Sequence, residues 1–252
     1  MLDLIKLRIR HGFPAIKDLR NAKPVESHRG FPVIDESKLS RDTKNITNIC
    51  PVNAISENPL SVDLGKCTFC GECERVSNGA IKFINDYKLA STNRNHLIVR
   101  SGENYKNYIS EAIEARKEIN KIFGHSLKLR EVSAAGCNGC EMELNACGNV
   151  NFDMGRFGID FVASPRHADG IVITGPISKN MAPALNDAYD SISDPKIVIA
   201  FGACTISGGI FSESNSLNRS FLDKVKVDLY VPGCPPHPLV FINSLLDFLG
   251  NK

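Results

Sequence analysis

LKLREVSAAGCNGC, residues 127–140, is the stretch that decides the fold. Its first eight residues read as a strand, and that strand runs straight into two cysteines spaced C-x2-C. Two later stretches repeat the arrangement. KIVIAFG (196–202) is a buried-type strand ending two residues before Cys204, and VDLYVPG (227–233) ends beside Cys234. Between them, IDFVAS (159–164) and IVITGP (171–176) are apolar runs rich in β-branched residues. SKNMAPALNDAYDSI (178–192) has helical spacing, and HPLVFINSLLDFLG (237–250) is an amphipathic helix with Gly250 as its stop. Strands alternating with helices predict an α/β domain over residues 127–252, a doubly wound parallel sheet with helices on both faces. Ligands bind such sheets at the carboxyl ends of the strands. Cys137, Cys140, Cys204 and Cys234 all follow predicted strands, so one sheet edge gathers four thiols.

Working outward, the chain has 252 residues, 42% hydrophobic and 23% charged. That is enough for two ordinary domains and excludes disorder, collagen and coiled coil. A net charge of +2 argues against a nucleic-acid binder. The charge is uneven, however: residues 1–49 hold ten basic and six acidic side chains, and residues 131–252 hold eight and thirteen. No apolar run reaches the roughly 18–20 residues of a membrane span. Lys6, Arg8 and Arg10 break up the only hydrophobic start, which predicts a chain without a signal peptide that stays in the cytosol.

Nine cysteines in that compartment are poor candidates for disulfides, and nine is odd. Cys67, Cys70 and Cys73 form C-x2-C-x2-C, and Cys50 opens a Cys-Pro step upstream. In the bacterial ferredoxin pattern C-x2-C-x2-C-x3-C-P, three close thiolates hold one cubane and the fourth serves the other cluster. Here Ser77, followed by Asn78, stands at the fourth position, while Ser40, Thr43 and Ile46 stand where the second triplet is expected. One cluster keeps Cys50, Cys67, Cys70 and Cys73; the other has lost all four ligands together. The pattern predicts a small α+β ferredoxin-like module over residues 31–100, reduced to one 4Fe–4S cluster. Gly71, Gly79, Ala80 and Ile81 let the backbone wrap closely and point amides at sulfur. A zinc site is the competing reading of four cysteines. Cys147 is left over and reads as a buried residue.

Several other groups are candidates. Glu141 and Glu143 orient the cysteine loop or pass protons, or are simply acids in a first helical turn. Arg166 and His167, in SPRHAD, follow a strand and are expected at the sheet edge of the cysteines, where a cation or hydrogen-bond donor raises a cluster's potential; a satisfied packing residue is the equal reading of His167. His237 in CPPHP has a weaker case, and His11, His28, His96 and His125 are assigned nothing. Residues 1–30 form a basic amphipathic helix, with Leu2, Ile5 and Ile9 on one face, and a lead-in. Residues 101–126 form a connector, with one helix over 103–123 stopped by Gly124. Nucleotide-loop and nucleophile-elbow motifs are absent.

The stretches AAGCNGCEMELNA, RFGIDFVASPRHADGIVITGPISKNM, FGAC and VPGCPPHP together resemble the small subunit of membrane-bound, energy-converting nickel–iron hydrogenases. That subunit is similar to the complex I subunit carrying the last iron–sulfur cluster before quinone. The resemblance covers roughly residues 127–250, and GFPAIKDL, RGFPVID and the ferredoxin segment resemble an N-terminal extension of formate-hydrogenlyase-like members. Complex I subunits carry two adjacent cysteines at the first ligand position, so Cys137-Asn138-Gly139-Cys140 takes the hydrogenase side. The lost half of the ferredoxin module departs from relatives that keep eight ligands. The resemblance implies a flavodoxin-like domain and an oxidoreductase subunit whose active site lies in another chain. It also implies two 4Fe–4S clusters, with that of Cys137, Cys140, Cys204 and Cys234 proximal to a nickel–iron centre. Expected partners are the nickel–iron large subunit, a membrane subunit and a ferredoxin-type electron-transfer subunit, on the cytoplasmic side of the cell membrane. A complex I-like or sulfur-reducing relative without nickel is the near alternative, and a zinc-stabilised interaction scaffold the distant one.

Overall fold

The computed structural model describes residues 2–39, 46–114, 117–123 and 126–250; Ser40, Thr43, Gly124 and His125 lie outside them. In helix α1 (Leu2–His11) residues 3–11 are exposed, Ile5 and Ile9 among them, and so are Leu4 and Leu7 on another side of the helix. Among the described residues no helix is long and apolar enough to cross a membrane. The chain then crosses the molecule as a strap. Ile16 N–H donates to Asn151 O at 2.8 Å, Leu19 is fully buried, and Asn243 Nδ2 donates to Leu19 O at 2.9 Å.

The first half of the protein is built from short antiparallel pairs. Strand β1 (Pro32–Ile34) precedes β2 (Ile55–Glu57), β3 (Leu60–Asp63), helix α2 (Glu72–Val76), β4 (Ile81–Phe83) and β5 (Ile98–Arg100). β1 pairs with β4, and β2, β3 and β5 make a three-stranded sheet in that order. The expected single connector helix is two, α3 (Tyr105–Ala112) and α4 (Lys117–Phe123). Ile113 is extended, because backbone groups that would continue the helix are taken by Thr92. Thr92 N–H donates to Ala112 O at 2.9 Å, and Glu114 N–H donates to Thr92 Oγ1 at 3.2 Å.

The second half runs β6 (Leu127–Ser133), α5 (Gly139–Cys147), β7 (Ile159–Phe161), β8 (Gly170–Thr174), α6 (Met181–Asp190) and β9 (Ile197–Phe201). Helices α7 (Ala203–Ser207) and α8 (Ser220–Lys224), strand β10 (Leu229–Val231) and helix α9 (Pro238–Phe248) complete it. All five strands are parallel, in the order β10-β9-β8-β6-β7. Renumbered within the domain this is the flavodoxin order 2-1-3-4-5, whose topological switch falls between β6 and β8.

GIVIT in β8 and IVIAF in β9 are buried at every position, as central parallel strands are. Alternate residues face opposite layers. Leu129, Val172, Ile199 and Phe201 pack under α5 and α9; Val132, Ile171, Ile173 and Val198 pack under α6 and α8. Helix α9, expected to be amphipathic, buries all but Asp247 of its eleven residues, because the strap covers its outer side. Asp247 is ion-paired to Arg20. The layer under α6 continues without a break into Phe31, Leu60 and Val99 of the first half. The halves are joined by backbone as well: Ser91 and Tyr230 exchange two hydrogen bonds, 3.0 and 2.9 Å, so residue 91 adds a bridge to the sheet's β10 edge.

Candidate functional site

In the first half, left-handed backbone at Asn53, Phe69 and Gly71 curls the loops so that amides face sulfur. Ala54 N–H donates to Cys50 Sγ at 3.2 Å and Phe69 N–H to Cys67 Sγ at 3.3 Å. Cys50, Cys67, Cys70 and Cys73 line one small cavity walled by Ile55, Val62 and Phe83. Burial pushes the Cys67 thiol up to about 12 and Cys73 to about 11, and ionisation of their neighbours in the set adds to both shifts. Burial therefore favours the protonated form of Cys67 and Cys73, and a bound cation would favour the thiolates.

Of the four positions expected to have lost a second set, Ile46 and Ser77 are among the described residues. Ile46 is buried in the core, and Ser77 is wholly buried with its hydroxyl in local bonds. Ser77 Oγ accepts from Ile81 N–H at 3.0 Å and donates to Ile81 O at 3.2 Å.

In the second half, the loops after β6, β9 and β10 leave the same sheet edge, as parallel strands require. Cys140 opens α5, and Cys204 lies in α7. Ionisation of Cys204, Cys234 or Cys137 disfavours that of Cys140, whose thiol is raised first by burial and then by Glu141. Cys204 is pushed up to about 11 by burial, then by Cys234 and Cys137, while the Arg219 guanidinium pulls the other way. Glycines leave the room. A Cβ on Gly202, at φ +88°, would lie 2.7 Å from Cys140 Sγ, and one on Gly209 would lie 2.9 Å from Cys204 Sγ. These backbones approach sulfur more closely than any side chain permits, a cradle suited to a cluster wrapped by main chain.

Four-coordinate zinc needs its sulfurs about 2.3 Å from one point. Among the described residues no three thiol, imidazole or carboxylate groups converge in that way.

Glu141 anchors the loop. Its Oε1 accepts from Ser133 Oγ at 2.6 Å and Thr174 Oγ1 at 2.7 Å, tying the first turn of α5 to β6 and β8 across the switch point. Glu143 is half buried and raised by that burial. Arg166 and His167 lie in the connection between β7 and β8. They are exposed in a turn (Pro165–His167) just ahead of the amino end of β8, because β7 pairs only with the first part of β6 and the chain returns at once. Cys147 is fully buried, its thiol donating to Glu143 O at 3.3 Å.

Three groups had no sequence signal. Arg219 donates to Pro176 O at 3.3 Å, Cys204 O at 3.0 Å and Thr205 O at 2.7 Å, closing the Cys204 turn. His28 meets His237 at 5.6 Å between ring centroids, and His237 is pushed down to about 4 by burial and then by His28. Glu131, in β6, is pushed up to about 7 by burial and then by the charge of Glu141. An unfolded glutamate ionises near pH 4.3, so between there and about 7 the folded chain holds the extra proton, and stability falls as pH rises through that window. Glu131→Gln is accordingly expected to melt above wild type at pH 8 and level with it at pH 4. Equal melting at pH 8, followed by circular dichroism, would refute this.

Residues 137–248 match the family described as NADH ubiquinone oxidoreductase, 20 Kd subunit. A probable membrane-bound hydrogenase subunit, mbhJ, of Pyrococcus furiosus is 38% identical over 51% of this chain and 77% of its own length. Formate hydrogenlyase subunit 7 of Escherichia coli is 42% identical over 56% of each chain. An NADH-quinone oxidoreductase subunit of Desulfovibrio desulfuricans is 48% identical over 42% of this chain and 58% of its own.

Proposed function

The chain belongs to the family of the 20 kDa subunit of NADH ubiquinone oxidoreductase, whose members are subunits of oxidoreductase complexes, and from that premise we propose that it relays electrons through two 4Fe–4S clusters within a membrane-associated nickel–iron hydrogenase complex. Cys50, Cys67, Cys70 and Cys73 hold one cluster in a ferredoxin-like module, and Cys137, Cys140, Cys204 and Cys234 hold the other at the sheet edge. The observation that supports this reading is geometric: Cys50, Cys67, Cys70 and Cys73 line one small cavity, and the loops that carry Cys137, Cys140, Cys204 and Cys234 leave one edge of the parallel sheet. When bound, such clusters gain and lose single electrons with little change of shape.

The protein's own residues do the rest. Amides at Ala54 and Phe69 stabilise thiolate charge, Arg219 fixes and polarises the Cys204 turn, and Glu141 locks the Cys137–Cys140 loop to the sheet. Cys137 and Cys234 are exposed, with Met142 and Ile210 also exposed in the second half. That suits an edge closed by a separate large subunit holding nickel and iron, the seat of H₂ chemistry. The Cys137-x2-Cys140 spacing favours that partner over a complex I-like one without nickel. A membrane subunit and a ferredoxin-type subunit complete the assembly on the cytoplasmic side.

The test is anaerobic purification. The protein should be brown with about eight irons per chain. Cys50→Ala and Cys204→Ala should each delete one electron paramagnetic resonance signal from the reduced protein and spare the other. A colourless protein with two zinc ions would establish the scaffold instead.

A further inference from the structure

The two cysteine sets meet through the loops that carry them. Gly65 stands two residues before Cys67, and a Cβ on it would lie 2.8 Å from Ile206 Cγ2 and 2.7 Å from Arg94 Cζ. Ile206 stands two residues after Cys204, in α7. Gly65 is not among the residues of positive φ, so its backbone is open to any side chain. It is closeness between the two loops that demands glycine here. The contact is braced from the side by Arg94, whose guanidinium forks onto Asp63 Oδ1 and Oδ2 at 2.8 Å each.

A crevice opens between the same two sets. Thr68 and Phe69, between Cys67 and Cys70, share a crevice with Cys234, Pro235 and His237. Arg29 donates to Phe69 O at 3.3 Å and holds that loop down. The neighbouring histidine pair and the Ser91–Tyr230 bonds keep the interface from sliding.

We infer that Gly65 is a positioning residue that sets the spacing of the two sites inside this one chain, by admitting Ile206 against the loop that leads into Cys67. This rests on the two-cluster reading and deepens it. The exchange it serves is one electron, lost on one side of the interface and gained on the other, with no bond or proton moved. Such exchange falls steeply with distance, so a loop contact without an intervening side chain matters out of proportion to its area.

The test uses the full iron-loaded chain reduced with dithionite and read by electron paramagnetic resonance. Wild type should show two signals broadened by mutual spin interaction. Gly65→Val should retain about eight irons and lose that broadening. Ile206→Trp, which crowds the same contact from α7, should do likewise and decides the matter should Gly65→Val fail to fold. Two non-interacting signals in iron-replete wild type, or broadening untouched by either crowding variant, would overturn the spacing role and leave the two-cluster reading standing. Four irons in wild type would overturn the two-cluster reading itself, and this inference with it.

Discussion

Gly202→Val is expected to strip the sheet-edge site of its iron and leave the first site loaded, halving total iron from about eight to about four. Two effects combine. At φ +88° and ψ 157° the residue occupies a region open essentially to glycine, and forcing another residue into it costs of order 1–3 kcal/mol. The added Cβ also arrives 2.7 Å from Cys140 Sγ, so the sulfur must leave its position or the Cys204 turn must open. Gly102→Ala separates the two effects: Gly102 has φ +83° with nothing within 4 Å of its Cβ position, so it carries backbone strain without crowding. That variant should lose a little stability and no iron. Iron analysis and the low-temperature spectrum of each reduced variant provide the check. A Gly202→Val protein with both signals at full intensity would mean that Cys140 does not share a site with Cys204.

Arg219→Met should be the most damaging single change away from the cysteines. Three carbonyls, of Pro176, Cys204 and Thr205, lose a charged donor, and Cys204 O is left with the Gly208 N–H at 2.8 Å. Hydrogen bonds to a charged donor contribute about 1.5–3 kcal/mol each but do not add, and burying the cation itself costs something, so a net loss of about 2–4 kcal/mol is expected. For a chain of this size that corresponds to roughly 5–15 °C in melting temperature. The sheet-edge potential should also fall, since a cation that eases ionisation of Cys204 favours the more reduced site as well. Arg219→Lys keeps the charge and loses the planar fork, so it should recover much of the potential and little of the stability. Unchanged melting in both variants would show that Arg219 does not hold the turn.

The histidines show where reading from sequence stops. His96 stacks on Tyr108 at 4.4 Å and shares a 2.9 Å hydrogen bond with its carbonyl, an ordinary packing role. His28, equally unremarkable by position, ends against His237, some two hundred residues away in the chain, because the strap crosses from one half to the other. Arg166 and His167 lie in the connection that leads from β7 to β8. After β7 the chain returns within eight residues to start β8.

The parallel sheet and the cysteine spacings were legible in the chain, since each depends on local period or ligand spacing, which covalent order fixes. What the fold alone decided is how surfaces meet: the break at Ile113, the full burial of α9, the three carbonyls on Arg219, and Gly65 pressed on Ile206. Those arise where distant segments compete for the same backbone groups and the same space. No window along the sequence contains both competitors.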